Sequence, residues 1–139
     1  MIKGKKHVRS QILYKKRLIG SYMNNTKWRE VLSVALELEF GWDLTVSDIR
    51  EPENFIRGWP TLADLAEDHV RDPGFGGPTQ YRDIFSLRVP RYEELRDSTS
   101  GRRYQSEARA IMFRERLREL GCIEIVVSED YVEVRGYAV

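Results

Sequence analysis

Asp64, Asp68 and Asp72 recur at intervals of four, with Glu67 and His69 among them. On a helix that interval sets three carboxylates along one face, an arrangement of hard oxygen ligands suited to Mg²⁺ or Ca²⁺. The same residues on a solvated turn are simply an acidic surface. Other polar groups offer less. His7 and His69 are the only histidines, and Cys122 is the only cysteine. A Cys122–His69 pair is one conceivable thiol nucleophile with its base, although Cys122 opens an apolar strand, where a small buried hydrophobe is its ordinary role. Glu124 and Glu133 on a predicted hairpin offer a carboxylate dyad, yet alternating acids on a strand are more typical of its wet face. No G-x-S-x-G, H-E-x-x-H or G-x-x-x-x-G-K-[ST] pattern occurs, and the Gly74-Phe75-Gly76-Gly77 run lacks the Lys-Ser/Thr of a phosphate loop and is closed by Pro78. These residues predict a protein that is not an enzyme and carries neither cofactor nor metal. A small metal-dependent hydrolase on the aspartates is the weakest alternative.

The elements that must hold these groups can be read from periodicity. Lys5 to Tyr22 carries a loose apolar stripe of Val8, Ile12, Ile19 and Tyr22 among cations, which makes 1–22 a predicted basic amphipathic helix. Asn24, Asn25 and Thr26 can cap a second helix, in which Trp28, Val31, Leu32, Ala35 and Leu36 form a buried face and Gly41 gives the stop. Leu44 and Val46 alternate with polar residues as a strand closed by Pro52, and Phe85, Leu87 and Val89 do the same before Pro90. Between them, 57–79 reads as irregular, with a short capped helix from Thr61 to Val70. After a polar loop, Tyr104 to Leu120 predicts a third long helix whose arginines and glutamates pair along its own outer face. Ile123 to Arg135 predicts a terminal hairpin. The sum is a single α+β domain: three main helices packed on one face of a four-stranded, largely antiparallel sheet that ends in a C-terminal β-hairpin.

Charge then narrows the function classes. The 139 residues hold 23 basic and 22 acidic side chains, yet nine of the basic ones lie in residues 1–29, which contain no acid. The remaining 110 residues carry 14 basic and 22 acidic groups, a basic head on an acidic body. All six lysines are in the head, and every later cation is an arginine. No apolar run approaches the roughly 18 residues that span a bilayer, no secretory signal is recognisable near residue 1, and one cysteine suits a reducing compartment. The expected location is cytoplasmic, with no membrane partner.

An acidic body with neighbouring aromatic residues predicts recognition of a basic protein, because complementary charge speeds encounter while buried aromatic anchors hold the complex. The candidate contact is Trp59, Asp64, Glu67, Asp68, Asp72, Phe75 and Tyr81. The alternative is nucleic acid held by Lys5, Lys6, Arg9, Lys15, Lys16 and Arg17, unless that basic helix packs back on the acidic body.

The run Arg17-Leu18-Ile19-Gly20-Ser21-Tyr22-Met23-Asn24-Asn25-Thr26-Lys27-Trp28-Arg29-Glu30 resembles the opening of a poorly characterised family of small bacterial proteins, in which a short basic segment leads into an N-N-T-K-W element heading a helix. Gly77-Pro78-Thr79-Gln80-Tyr81-Arg82-Asp83-Ile84 and Gly136-Tyr137 echo the same family. The resemblance implies a shared fold and transfers no catalytic residue. Size, acidic body and α+β order are also similar, at the level of class, to bacterial immunity proteins that neutralise toxins. That likeness makes a basic toxin domain the specific form of the predicted protein partner.

Overall fold

A computed structural model describes residues 23–72, 74–121 and 123–137. The predicted basic helix, with His7 and the six candidate nucleic-acid contacts, lies outside these residues, as does Cys122.

Helix α1 spans Asn25–Glu37 and starts where the sequence places it: the Asn24 side chain accepts a hydrogen bond from the Lys27 amide at 2.8 Å, satisfying one of the unpaired donors of the first turn. Its inner face buries Trp28, Val31, Leu32, Val34 and Ala35. Its end differs from expectation. Glu39 N–H donates to Leu36 and Phe40 N–H to Ala35, the paired bonds of a Schellman turn, with Glu39 itself at φ 66°. Gly41 is not the stop. The chain reverses two residues earlier because doing so seats Phe40 in the core, where its ring meets Phe113 edge-on at 5.7 Å.

Among the described residues nine strands follow in three antiparallel sheets. β1 (Thr45–Asp48), β2 (Glu51–Arg57), β5 (Ile84–Pro90), β8 (Glu124–Val127) and β9 (Tyr131–Arg135) form the main sheet in the order β2-β1-β5-β9-β8. β3 (His69–Val70) pairs with β4 (Thr79–Gln80), and β6 (Glu93–Arg96) with β7 (Arg103–Ser106). Helix α2 spans Ala108–Glu119. The three-helix, four-stranded arrangement is thus corrected to two α-helices among the described residues and a five-stranded sheet with two small ribbons. The errors have definite causes. Pro52 does not close a strand but sits inside β2 at the sheet edge, where a missing amide donor is tolerated. The polar run at 97–101 is the turn of the β6–β7 hairpin, held by Asp97, which accepts hydrogen bonds from the Thr99 and Ser100 amides. Those two bonds, the Ser100 one foremost, hold the Asp97 carboxyl below its ordinary value. Tyr104 therefore belongs to β7, and α2 starts four residues later than predicted.

Strand register assigns the two faces of the sheet. Val46, Leu87, Val134 and Ile125 stand side by side on one face. With Val89 and Val132 they join the buried faces of α1 and α2 in one core. Close approach is enforced at Gly136, where a Cβ would stand 2.8 Å from the Trp28 ring and from the Ile84 carbonyl oxygen. On the other face Thr45, Arg88, Glu133 and Val126 are neighbours. Glu133 is buried, not on a wet surface: Arg88 donates to it at 2.8 Å and Arg135 at 3.2 Å. The Arg88 guanidinium in turn lies 3.8 Å from the centre of the Phe55 ring. Burial alone would raise the Glu133 carboxyl, but hydrogen bonds from Arg88, Ser86 and Arg135 outweigh it and hold it below its ordinary value.

Two of the arginines of α2, Arg109 and Arg116, also find partners on other elements. Arg116 reaches Glu37 on α1 at 2.6 Å. Arg109 donates to the Glu39 carbonyl at 2.7 Å, lies near Asp43 and Glu93 at 3.3 and 3.1 Å, and covers the Phe40 ring at 4.2 Å. One side chain therefore satisfies the open carbonyl end of α1 and ties it to α2 and β6. No helix among the described residues is long and apolar enough to cross a membrane.

Candidate functional site

The turn that ends α1 and the loop that follows β2 carry the two most exposed tryptophans. Trp42 is 71% exposed and Trp59 62% exposed, with ring centres 5.6 Å apart. Full solvation of two indoles is costly in apolar area, and indole is a common anchor at protein interfaces. Beside them is a concavity of about 520 Å³ lined by Leu36, Glu39, Gly41, Trp42, Pro60, Thr61, Leu62 and Arg109. Leu62 adds a further apolar side chain that is 53% exposed.

The position of each ring follows from local chemistry. Trp42 is placed by the Schellman turn: once Phe40 is drawn inward, Asp43 and Leu44 return hydrogen bonds to the Phe40 carbonyl, and the residue between is held out. Trp59 is placed from the other side. Its amide donates to the Gly74 carbonyl at 2.8 Å, and at Gly58 a Cβ would stand 1.9 Å from that same carbonyl oxygen. Only glycine allows the two chain segments to lie so close. Asp64 anchors the next turn by accepting from the Thr61 amide at 2.8 Å and the Thr61 hydroxyl at 3.0 Å.

The lining of the shelf holds one acid and one cation. Glu39 lines it directly, while Arg109 is already matched by Asp43 and Glu93. Beyond Thr61 the chain continues through Asp64, Glu67, Asp68 and Asp72, of which Glu67, Asp68 and Asp72 are exposed and Asp64 half-buried. The predicted helix at 61–70 is only a 3-10 turn, Leu62–Asp64, followed by the short strand β3. A face with aspartates one turn apart is therefore never built. Among the described residues no group of three or more histidine, aspartate and glutamate side chains is gathered to hold a metal ion. His69 instead meets Asp68 through Nδ1 at 2.8 Å, and that hydrogen bond holds the Asp68 carboxyl below its usual value.

Of the predicted contact aromatics, Trp59 lies on the surface, whereas Phe75 and Tyr81 do not. Both are buried, with Val70, in the main core, and the Tyr81 hydroxyl donates to the Ala66 carbonyl at 2.8 Å. Burial pushes that phenol up to about 12. Their role is to hold the long loop that carries Trp59, since the segment from 58 to 83 folds back on itself through β3 and β4. Trp42 and Leu62 were missed by sequence reasoning. A signal existed for Trp42: it stands between Gly41 and Asp43, outside the apolar period of either flanking element. Leu62 gave none.

No family model matches the chain, and neither a curated protein nor a solved structure does.

Proposed function

We propose that this chain is a protein-binding module that engages a basic partner through the Trp42–Trp59 shelf. The observation that carries the reading is the paired exposure of the two indoles against a concave wall. Charge supports the sign of the partner. Glu39 lines the shelf, and the loop beyond Thr61 carries Asp64, Glu67, Asp68 and Asp72. A partner side chain with an apolar stem and a cationic head, above all arginine, satisfies both features: the stem covers the indoles and the head meets their π faces and the carboxylates. A toxin domain with a cationic surface, neutralised by occupation of that surface, is the partner class this chemistry fits best.

The test is capture from extract of the native cell with the intact chain and with a W42A/W59A variant, each at low and high salt. The expected result is a basic protein that is retained by the intact chain, is retained less at high salt and is lost with the double variant. Retention unchanged by the double variant, or capture of nucleic acid in place of protein, overturns the reading.

A further inference from the structure

Among the described residues the main sheet ends at two unpaired edge strands, and they are built differently. β2 is guarded: its seven residues include Pro52, which has no amide to donate, and the charged Glu51, Glu53 and Arg57. β8 is Glu124-Ile125-Val126-Val127, β-branched at three of four positions with one charge and no proline. It is the last strand of the sheet, and Val127 is 37% exposed.

Hydrogen-bond phase shows what that edge offers. The Ser128 amide donates to the Tyr131 carbonyl at 2.9 Å. In an antiparallel ladder bonded pairs alternate, so Val126 opposite Glu133 and Glu124 opposite Arg135 are the next bonded pairs toward β9. The amides and carbonyls of Ile125 and Val127 consequently point away from β9. These four groups are spaced for one more antiparallel strand, and the strand that fits them is β8 itself.

We infer that β8 pairs antiparallel with β8 of a second copy of this chain, about a twofold axis through Val126, joining two five-stranded sheets edge to edge. In this register Ile125 is opposite the partner's Val127 and exchanges two hydrogen bonds with it. The symmetric pair exchanges two more, so all four outward groups are satisfied. Side chains keep their faces, because a register centred on a residue pairs odd positions with odd and even with even. Glu124 falls opposite the partner's Ser128, so no like charges meet across the seam. Self-complementarity of this kind is what a twofold interface requires. The shelf of Trp42 and Trp59 does not enter the contact as inferred, so the two surfaces are tested separately.

Sedimentation equilibrium on the intact chain, at about 0.01 to 1 mM as suits a short edge contact, is expected to show a reversible monomer–dimer equilibrium. Val126 on the axis forms a non-bonded pair with its symmetry mate, with Cα atoms about 4.5 Å apart, within the range a disulfide spans. A V126C variant in a C122S background is therefore expected to oxidise to a covalent dimer, and to do so in preference to I125C. V127P removes an edge amide and is expected to weaken dimerisation at least about tenfold with an unchanged far-ultraviolet circular dichroism spectrum. If V127P does not fold, the V126C result decides alone. A monomer at every concentration, no covalent dimer with V126C, preferential crosslinking of I125C, or a dimer indifferent to a folded V127P each overturns the inference.

Discussion

The inner face of α1 and the Trp42–Trp59 shelf use the same residue type to opposite ends. Trp28 is 1% exposed, fixed between the helix and the strand end at Gly136, whereas Trp42 and Trp59 lie in water within ring contact of each other. The acids show the same division. Glu133 is buried between two arginines, while Glu67, Asp68 and Asp72 are exposed. Residue type therefore does not determine role here. A side chain that completes a packed layer contributes to stability, and one held out by a turn is available to something else. The division can be broken or sharpened by substitution.

The largest effect is expected at Trp28→Ala, which empties a fully enclosed site and should lower stability by about 3–5 kcal/mol in chemical denaturation. A loss below about 1 kcal/mol would mean that the layer around Trp28 is not packed as described.

Next comes Glu133→Gln, expected to cost about 1–3 kcal/mol at neutral pH by leaving Arg88 without its anion. The sign with pH follows from the direction of the shift. The folded carboxyl titrates below its unfolded value, so the stabilisation is complete above the unfolded value and lost as pH falls through the folded one. Stability curves of wild type and Glu133→Gln should therefore converge in acid. Parallel curves would contradict the assigned pairing.

Glu39→Gly is expected to stabilise the fold by about 1 kcal/mol, because Glu39 holds a left-handed conformation that glycine adopts without penalty. The same change removes a shelf carboxylate and should weaken binding of a basic partner. A gain in stability accompanied by unchanged affinity would remove Glu39 from the proposed contact.

The smallest effect on stability is expected for W42A/W59A, within about 0.5 kcal/mol, as is usual for exposed positions. The readout that separates the regions is fluorescence. Acrylamide, which is uncharged, should quench most of the wild-type tryptophan emission, and the double variant should retain a blue-shifted, poorly quenched signal from Trp28. Strong quenching in the double variant would show that Trp28 is not enclosed.

Much of this architecture was legible wherever the deciding interaction is local. The Asn24 cap, the buried stripe of α1, the core strand β5 and the terminal hairpin all follow from bonds and periods within about ten residues. The Thr61–Asp64 spacing does form a capping box, but it heads only a 3-10 turn, and the predicted helix to Val70 does not form. Val70 is instead drawn into β3, opposite Thr79, and Tyr81 is drawn into the core. The α2 arginines illustrate the same limit. Their spacing allows pairs along one helix, but Glu37, Asp43 and Glu93 bring carboxylates from other elements at hydrogen-bonding distance.

By itself the sequence determined an α+β protein with a capped amphipathic helix, a hairpin end and a strong division of charge, because hydrophobic period and capping act over short stretches of chain. Only the tertiary structure decided which aromatic residues are free. Trp42 and Trp59 are 17 positions apart, and their meeting depends on Phe40 turning inward and on two segments touching at Gly58 and Gly74. Those are long-range contacts, fixed by packing and steric exclusion after the local elements have formed, and no local pattern of residues encodes them.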